Sequence, residues 1–121
     1  MMMFSKKMEY GYMIIQELKE TAVDKTIVCK DILKNIDVPY NMGLVILSEL
    51  SRKKIIISSR GKNKGYYLKD KEMTLLELFE SLENATKIEE DDYKDDGYKE
   101  KIKLMNNYFL KELKNMKIID W

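Results

Sequence analysis

The stretch KKIIISSRGKNKGYYL, residues 53–68, constrains the fold more than any other. Ile55-Ile56-Ile57 is a β-branched run, and Tyr66-Tyr67-Leu68 is a second run suited to extended backbone. Between them, Gly61 and Gly65 supply the backbone angles a turn needs. The expected hairpin, with strands at 55–58 and 66–68, carries Arg60, Lys62 and Lys64 in its connection and no acid. Directly upstream, a helix runs from Pro39 to about Lys53, with Met42, Val45, Ile46, Leu47 and Leu50 on its apolar side. Before it, residues 29–36 read as a short helix with Ile32, Leu33 and Ile36 facing inward. Asp37-Val38-Pro39 ends that helix, because the residue before a proline is pushed out of helical geometry. Two helices joined by a tight turn form a helix-turn-helix, and the hairpin behind them is its wing.

The remaining chain fits around this unit. Residues 5–20 read as a helix capped by Ser5, with Met8, Gly11, Tyr12, Ile15 and Leu18 recurring at spacings of three and four. Thr26-Ile27-Val28 reads as a short extended piece. Thr74-Leu75-Leu76-Glu77 is a capping box opening a helix that uses Leu75, Leu78, Phe79 and Leu82. NATKIEEDDYKDDG, residues 84–97, is acidic and reads as a solvated linker. From Tyr98 to about Lys117 a last helix carries Ile102, Met105, Phe109, Leu113 and Met116 in a heptad-like seam. The expected fold is mainly α with a small β-hairpin wing (α+β): a winged helix-turn-helix at 1–83, the linker at 84–97, and a dimerisation helix at 98–121. The alternative for the last helix is that it folds back on its own core.

Composition removes several classes. The 121 residues contain no histidine and one cysteine, Cys29. An internal disulfide is impossible, and the commonest general base and zinc ligand is missing. No Gly-rich phosphate loop is present, and the acidic segment lacks the spacing of a calcium-binding EF-hand. The chain is therefore not read as an enzyme, and no metal or cofactor is expected. No apolar run is long enough to span a membrane, and MMMFSKKMEYGY has no secretory h-region, so a cytoplasmic location is expected. Met8, Met42, Met73, Met105 and Met116 are read as gap-filling apolar residues. Cys29, at a helix start beside Lys30, is read as a small cap-proximal residue in preference to a redox-sensing thiol. Strand alternation turns one of Tyr66 and Tyr67 inward and leaves open which.

Charge gives the functional direction. Residues 1–70 hold 13 Lys/Arg against 8 Asp/Glu, whereas residues 71–121 hold 9 against 13. Arg52, Lys53, Lys54, Arg60, Lys62, Lys64 and Lys69 follow one another with no acid between. A module that docks one face on a polyanion needs this asymmetry. In a winged helix-turn-helix the second helix enters the major groove of DNA. An arginine at the wing tip suits a narrow minor groove, and lysines neutralise phosphates.

The chain resembles the Rrf-two-type winged-helix regulators over about two-thirds of its length. FSKKMEYGY, VCKDILKNIDVP, LSELSRKKIIISSRGKNKGYYL and MTLLELFESLE carry the resemblance. It implies a homodimeric transcription regulator of double-stranded DNA, with a long C-terminal dimerisation helix bearing Ile102, Met105, Phe109, Leu113 and Met116. By the same resemblance, Ser5, Lys6 and Lys7 touch phosphates, while Tyr40, Asn41, Gly43 and Leu44 begin the recognition helix. Ser48 lies further along it, Arg52 and Lys53 close it, and Arg60, Lys62 and Lys64 form the wing. Three departures stand out. Members that hold an iron–sulfur cluster use three cysteines where this chain has NATKIEEDDYKDDG, so no cluster is expected. Leu44-Val45 occupies positions where the family often has a polar pair; an apolar pair can contact a thymine methyl but donates no hydrogen bond. Lys64 and Lys54 replace glycines.

Two functions follow: a sequence-specific regulator, expected to repress and open to a protein or small-molecule effector, or a winged-helix protein-interaction module with only weak, nonspecific DNA binding.

Overall fold

The computed structural model of the chain describes residues 5–21, 25–61, 64–83 and 93–120. In chain order these form α1 (Lys6–Lys19), α2 (Cys29–Lys34), α3 (Tyr40–Arg52), β1 (Ile56–Ser59), β2 (Gly65–Leu68), α4 (Leu75–Glu83) and α5 (Asp96–Lys114). A short 3-10 turn follows at Ile118–Asp120. The expected linker residues 84–92, together with Lys62 and Trp121, lie outside the described residues.

The core lies between α1, α3 and α4, with β1 closing one edge. Ile14, Ile15, Ile46, Leu50, Ile56, Leu78 and Phe79 are wholly removed from water. Each contributes about 1.5–3 kcal/mol of burial. Among the described residues no polar or charged side chain is buried. The inward faces differ in part from those expected. Tyr12 lies at the surface, where its hydroxyl accepts from Gln16, and Ile14 takes the inward place. Met42 and Val45 also face outward, so α3 has a narrower buried stripe than its apolar content implies. Of the five methionines read as gap-fillers, Met8 and Met73 are buried, while Met42, Met105 and Met116 are exposed.

The helix ends follow their local chemistry. Ser5 caps α1 by accepting from the Met8 N–H at 3.1 Å. Thr74 and Glu77 form the expected capping box: the Glu77 N–H donates to Thr74 Oγ1 at 3.3 Å, and the Thr74 N–H donates to Glu77 Oε2 at 3.2 Å. Pro39 is the N-cap of α3 rather than a residue of its first turn. Asp95 caps α5 through the Tyr98 N–H at 2.8 Å, which starts that helix two residues before Tyr98. The C-terminus of α3 closes in a Schellman arrangement. The Ile55 N–H donates to Leu50 O at 2.9 Å, and the Lys54 N–H donates to Ser51 O at 3.0 Å. Lys54 itself takes φ +61°, a left-handed position that glycine would occupy without strain.

β1 and β2 are antiparallel in the register Ile56–Leu68, Ile57–Tyr67, Ser58–Tyr66 and Ser59–Gly65. Ile27, in the short extended piece, pairs with Tyr66 through N–H···O bonds of 3.0 and 2.9 Å. This contact leaves room only for glycine at position 65. A Cβ there would lie 2.8 Å from the Ile27 carbonyl, and φ is +142°. Tyr66 faces the core and Tyr67 faces out, which settles the alternation.

The heptad-like seam of α5 divides. Ile102 and Leu113 are buried within the protomer, and Phe109 meets Phe79 edge-to-face at 6.5 Å. Met105 and Met116 are exposed. The helix stops at Lys114 because the chain turns back to pair with the start of α4. The Leu75 N–H donates to Met116 O and the Ile118 N–H to Met73 O, both at 2.8 Å. Ile118 is fully buried, and Lys117 pairs with Glu72 at 3.1 Å.

Candidate nucleic-acid interface

The buried stripe of α3 is Gly43, Ile46, Leu47 and Leu50. Opposite it, Asn41, Val45, Ser48 and Arg52 recur at steps of four, three and four, and all four are exposed. Leu44 and Tyr40 flank this ridge and are also exposed. Pro39 offers the first turn no side-chain acceptor, and that turn contains no acid.

Gly43 does not belong to the outer face. It is buried where α2 crosses α3, and a Cβ there would come within 2.7 Å of the Leu33 methyl groups. Its role is the close approach of the two helices, which sets the helix-turn-helix angle. Lys7 is also committed elsewhere. Its ammonium pairs with Glu49 at 2.9 Å, and both side chains are largely covered. Glu49 is the one acid on α3, so this bridge ties α1 to α3 and neutralises the helix that faces outward. Lys6 is exposed and pairs with Glu9, which raises its pKa by a direct hydrogen bond and by charge attraction. Ser5 serves as the α1 cap.

At the far end of α3, Arg52, Lys53 and Lys54 are exposed. Ile55 follows, then β1, so the wing is held close to this helix end by a short connection. Arg60 and Lys64 flank the turn and are exposed. Gly61 adopts φ +90° there with open space around it. The Thr26 hydroxyl donates to Lys64 O at 3.2 Å and tethers the returning strand. Lys64 keeps a negative φ, so its replacement of a glycine adds charge without backbone strain.

Val45 counts toward the apolar stripe by periodicity and toward the outward Leu44-Val45 pair by resemblance; it is exposed, four residues from Asn41, so the outward place is the one it takes. Tyr98, which opens the heptad-like seam, is exposed as that reading expects, but Leu104, Tyr108 and Ile119, exposed around α5 and its tail, were missed. Leu104 and Tyr108, four residues apart, were the signal.

Cys29 is half-buried against the core, and burial pushes its thiol pKa up. A raised pKa disfavours the reactive thiolate. The donor set does not fit an iron–sulfur cluster, which needs several thiolates: one cysteine and no histidine are present. Among the described residues no group of three potential ligands could hold a metal ion. None of the described helices is long and apolar enough to cross a membrane.

Known structures resemble this arrangement over nearly the whole chain. CymR (YrzC), the global cysteine regulator of B. subtilis, superposes with a TM-score of 0.84 at 20% identity, covering 99% of this chain and 95% of that one. T. potens IscR gives 0.81 at 17% identity, covering 98% and 84%. The oxidized form of Staphylococcus aureus CymR gives 0.78 at 21% identity, covering 98% and 94%. No curated protein sequence matches the chain. The model of the Rrf2 family, described as "Iron-dependent Transcriptional regulator", matches residues 4–120. The chain belongs to the Rrf2 family of DNA-binding transcription regulators.

Proposed function

We propose that the chain acts as a homodimeric, sequence-specific DNA-binding repressor that works in the cytoplasm without an iron–sulfur cluster. The observation that carries this reading is the exposed ridge of α3 that ends in Arg52, Lys53 and Lys54 and is followed by a wing bearing exposed Arg60 and Lys64, with the one acid of that helix neutralised by Lys7. Tyr40, Asn41, Leu44 and Ser48 face the major groove, and Arg60 and Lys64, with Lys62, hold the adjacent backbone or minor groove. A second copy covers Met105 and Met116 together with Tyr98, Leu104, Tyr108 and Ile119, which the protomer leaves exposed. Phe109, Leu113 and Ile102 support that surface from beneath. A protein or small-molecule effector takes the signalling role that a cluster would otherwise have.

Fluorescence-anisotropy titration tests this reading. The full chain is first used to select duplexes from a random-sequence pool. The enriched duplex and a shuffled one are then titrated at several salt concentrations, with an Arg60→Ala variant in parallel. Tighter binding to the enriched duplex, with a steep salt slope that weakens in the variant, supports a regulator with a working wing. The exposed apolar residues of α3 favour a second reading, a winged-helix module that binds a protein partner. Failure to enrich any sequence, with feeble binding to both duplexes, would favour it.

A further inference from the structure

We propose that Leu44 and Val45 read the C5-methyl groups of pyrimidines in the major groove. The inference rests on the DNA-binding reading above and names what the same face recognises.

Leu44 is 40% exposed and Val45 49% exposed, side by side at the middle of the outward face of α3. Neither belongs to the hydrophobic core or to the partly buried residues packed against it. Neither carries a hydrogen-bonding group, so neither can distinguish bases by their donors and acceptors. The surroundings select the occupant. The helix ends in Arg52, Lys53 and Lys54, the wing that follows carries exposed Arg60 and Lys64, and residues 50–69 contain no acid. A polyanion complements this charge, and the apolar feature that duplex DNA offers in its major groove is the C5-methyl of thymine.

The spacing agrees. From Asn41 to Ser48 the helix advances about 10 Å, at roughly 1.5 Å per residue. That length matches about three base-pair steps. Asn41 and Ser48 can hydrogen-bond at the two ends, leaving Leu44 and Val45 over the pair or pairs between them. Thymine and 5-methylcytosine present the same methyl at the same position, so the recognised chemistry is the methyl group, from either source.

The test uses the full chain and the duplex it enriches from a random pool. Each dT of that duplex is replaced singly by dU, which removes the methyl and leaves every hydrogen-bonding group. Loss of roughly threefold to fivefold in affinity per contacted methyl is expected at one or two positions of each half-site. In the Leu44→Ala/Val45→Ala double variant, the dT and dU duplexes should bind equally. Both side chains are at the surface, so the variant retains its fold, and a thermal melt checks this. Replacing a sensitive dT·dA pair by dC·dG, with and without the 5-methyl on cytosine, separates the two sources. Recovery with the methyl points to the methyl alone, and no recovery points to thymine. Enrichment of a duplex whose dU forms bind as tightly as the dT form would overturn the inference while leaving the DNA-binding reading intact. So would a dU penalty that persists in the double variant. Failure to enrich any duplex would overturn both and leave the face to a protein partner.

Discussion

The outer faces of α3 and α5 expose comparable apolar surface, yet their settings differ. On α3, Tyr40, Leu44 and Val45 share a helix that ends in Arg52 and runs on to Lys53 and Lys54, and the single acid, Glu49, is held by Lys7. On α5, Tyr98, Leu104, Met105 and Tyr108 are interleaved with charges of both signs, including Glu100, Lys101, Lys111 and Glu112. An apolar patch by itself says only that something covers it. The charge around it narrows the partner, and on the reading proposed above it is a polyanion for α3 and a surface of mixed charge, a second copy, for α5. The buried sides differ as well. α3 is anchored by aliphatic residues and the glycine that meets Leu33, whereas α5 adds to its buried Ile102 and Leu113 one aromatic pair and a tail that doubles back.

Salt separates the two faces most strongly. Raising salt from about 50 to 200 mM is expected to weaken duplex binding by roughly a thousandfold, if six or so phosphates are neutralised. Dimer dissociation, followed by analytical ultracentrifugation, should change only a fewfold over the same range. A dimer as salt-sensitive as the DNA complex would break the comparison.

Adjacent residues on α5 sharpen it next. Phe109→Ala removes the edge-to-face partner of Phe79 and should cost about 3 kcal/mol in urea denaturation. Tyr108→Ala, at a site 66% exposed, should leave protomer stability nearly unchanged. It should instead weaken the dimer by about tenfold. Equal stability losses in the two variants would mean that α5 has no separate outer role.

Glycine chemistry probes the α3 side. Gly65→Ala forces a Cβ against the Ile27 carbonyl at a left-handed φ and should cost about 2 kcal/mol, with the wing the first element to lose hydrogen-exchange protection. Lys54→Gly relieves the one positive φ among the described non-glycine residues and should add about 1 kcal/mol of stability. The same change removes one cation, so the salt slope of DNA binding should fall by about one. A stability gain with an unchanged slope would place Lys54 away from the phosphates.

Much of this architecture was legible in the residues, because local chemistry agreed with the global fold. Pro39, the Thr74–Glu77 box, the two turn glycines and Ser5 each marked an element boundary to within a residue or two. Periodicity failed where an apolar residue faces out of the protomer. Periodicity counts Met42 and Val45 toward the buried side of α3 because an apolar residue adds to the stripe whichever way it faces; only the resemblance turns Val45 outward. The seam of α5 reads as a dimer interface or, alternatively, as a helix folded back on its own core; Ile102, Phe109 and Leu113 take the second course and close the protomer, while Met105 and Met116 stay exposed. The commitment of Lys7 to Glu49 spans 42 positions, and no local pattern reports it. Gly43 was assigned to DNA by its place in the recognition helix, but its missing side chain already indicated close helix packing.

The most direct test of two faces with two partners is a hydroxyl-radical footprint of the full chain on its enriched duplex. Two protected half-sites related by two-fold symmetry are expected, with centres about 34–36 Å or a multiple apart. The flanking minor-groove protection should disappear in Arg60→Ala while the half-site spacing stays. A single protected stretch without symmetry, or protection insensitive to Arg60, would contradict the account.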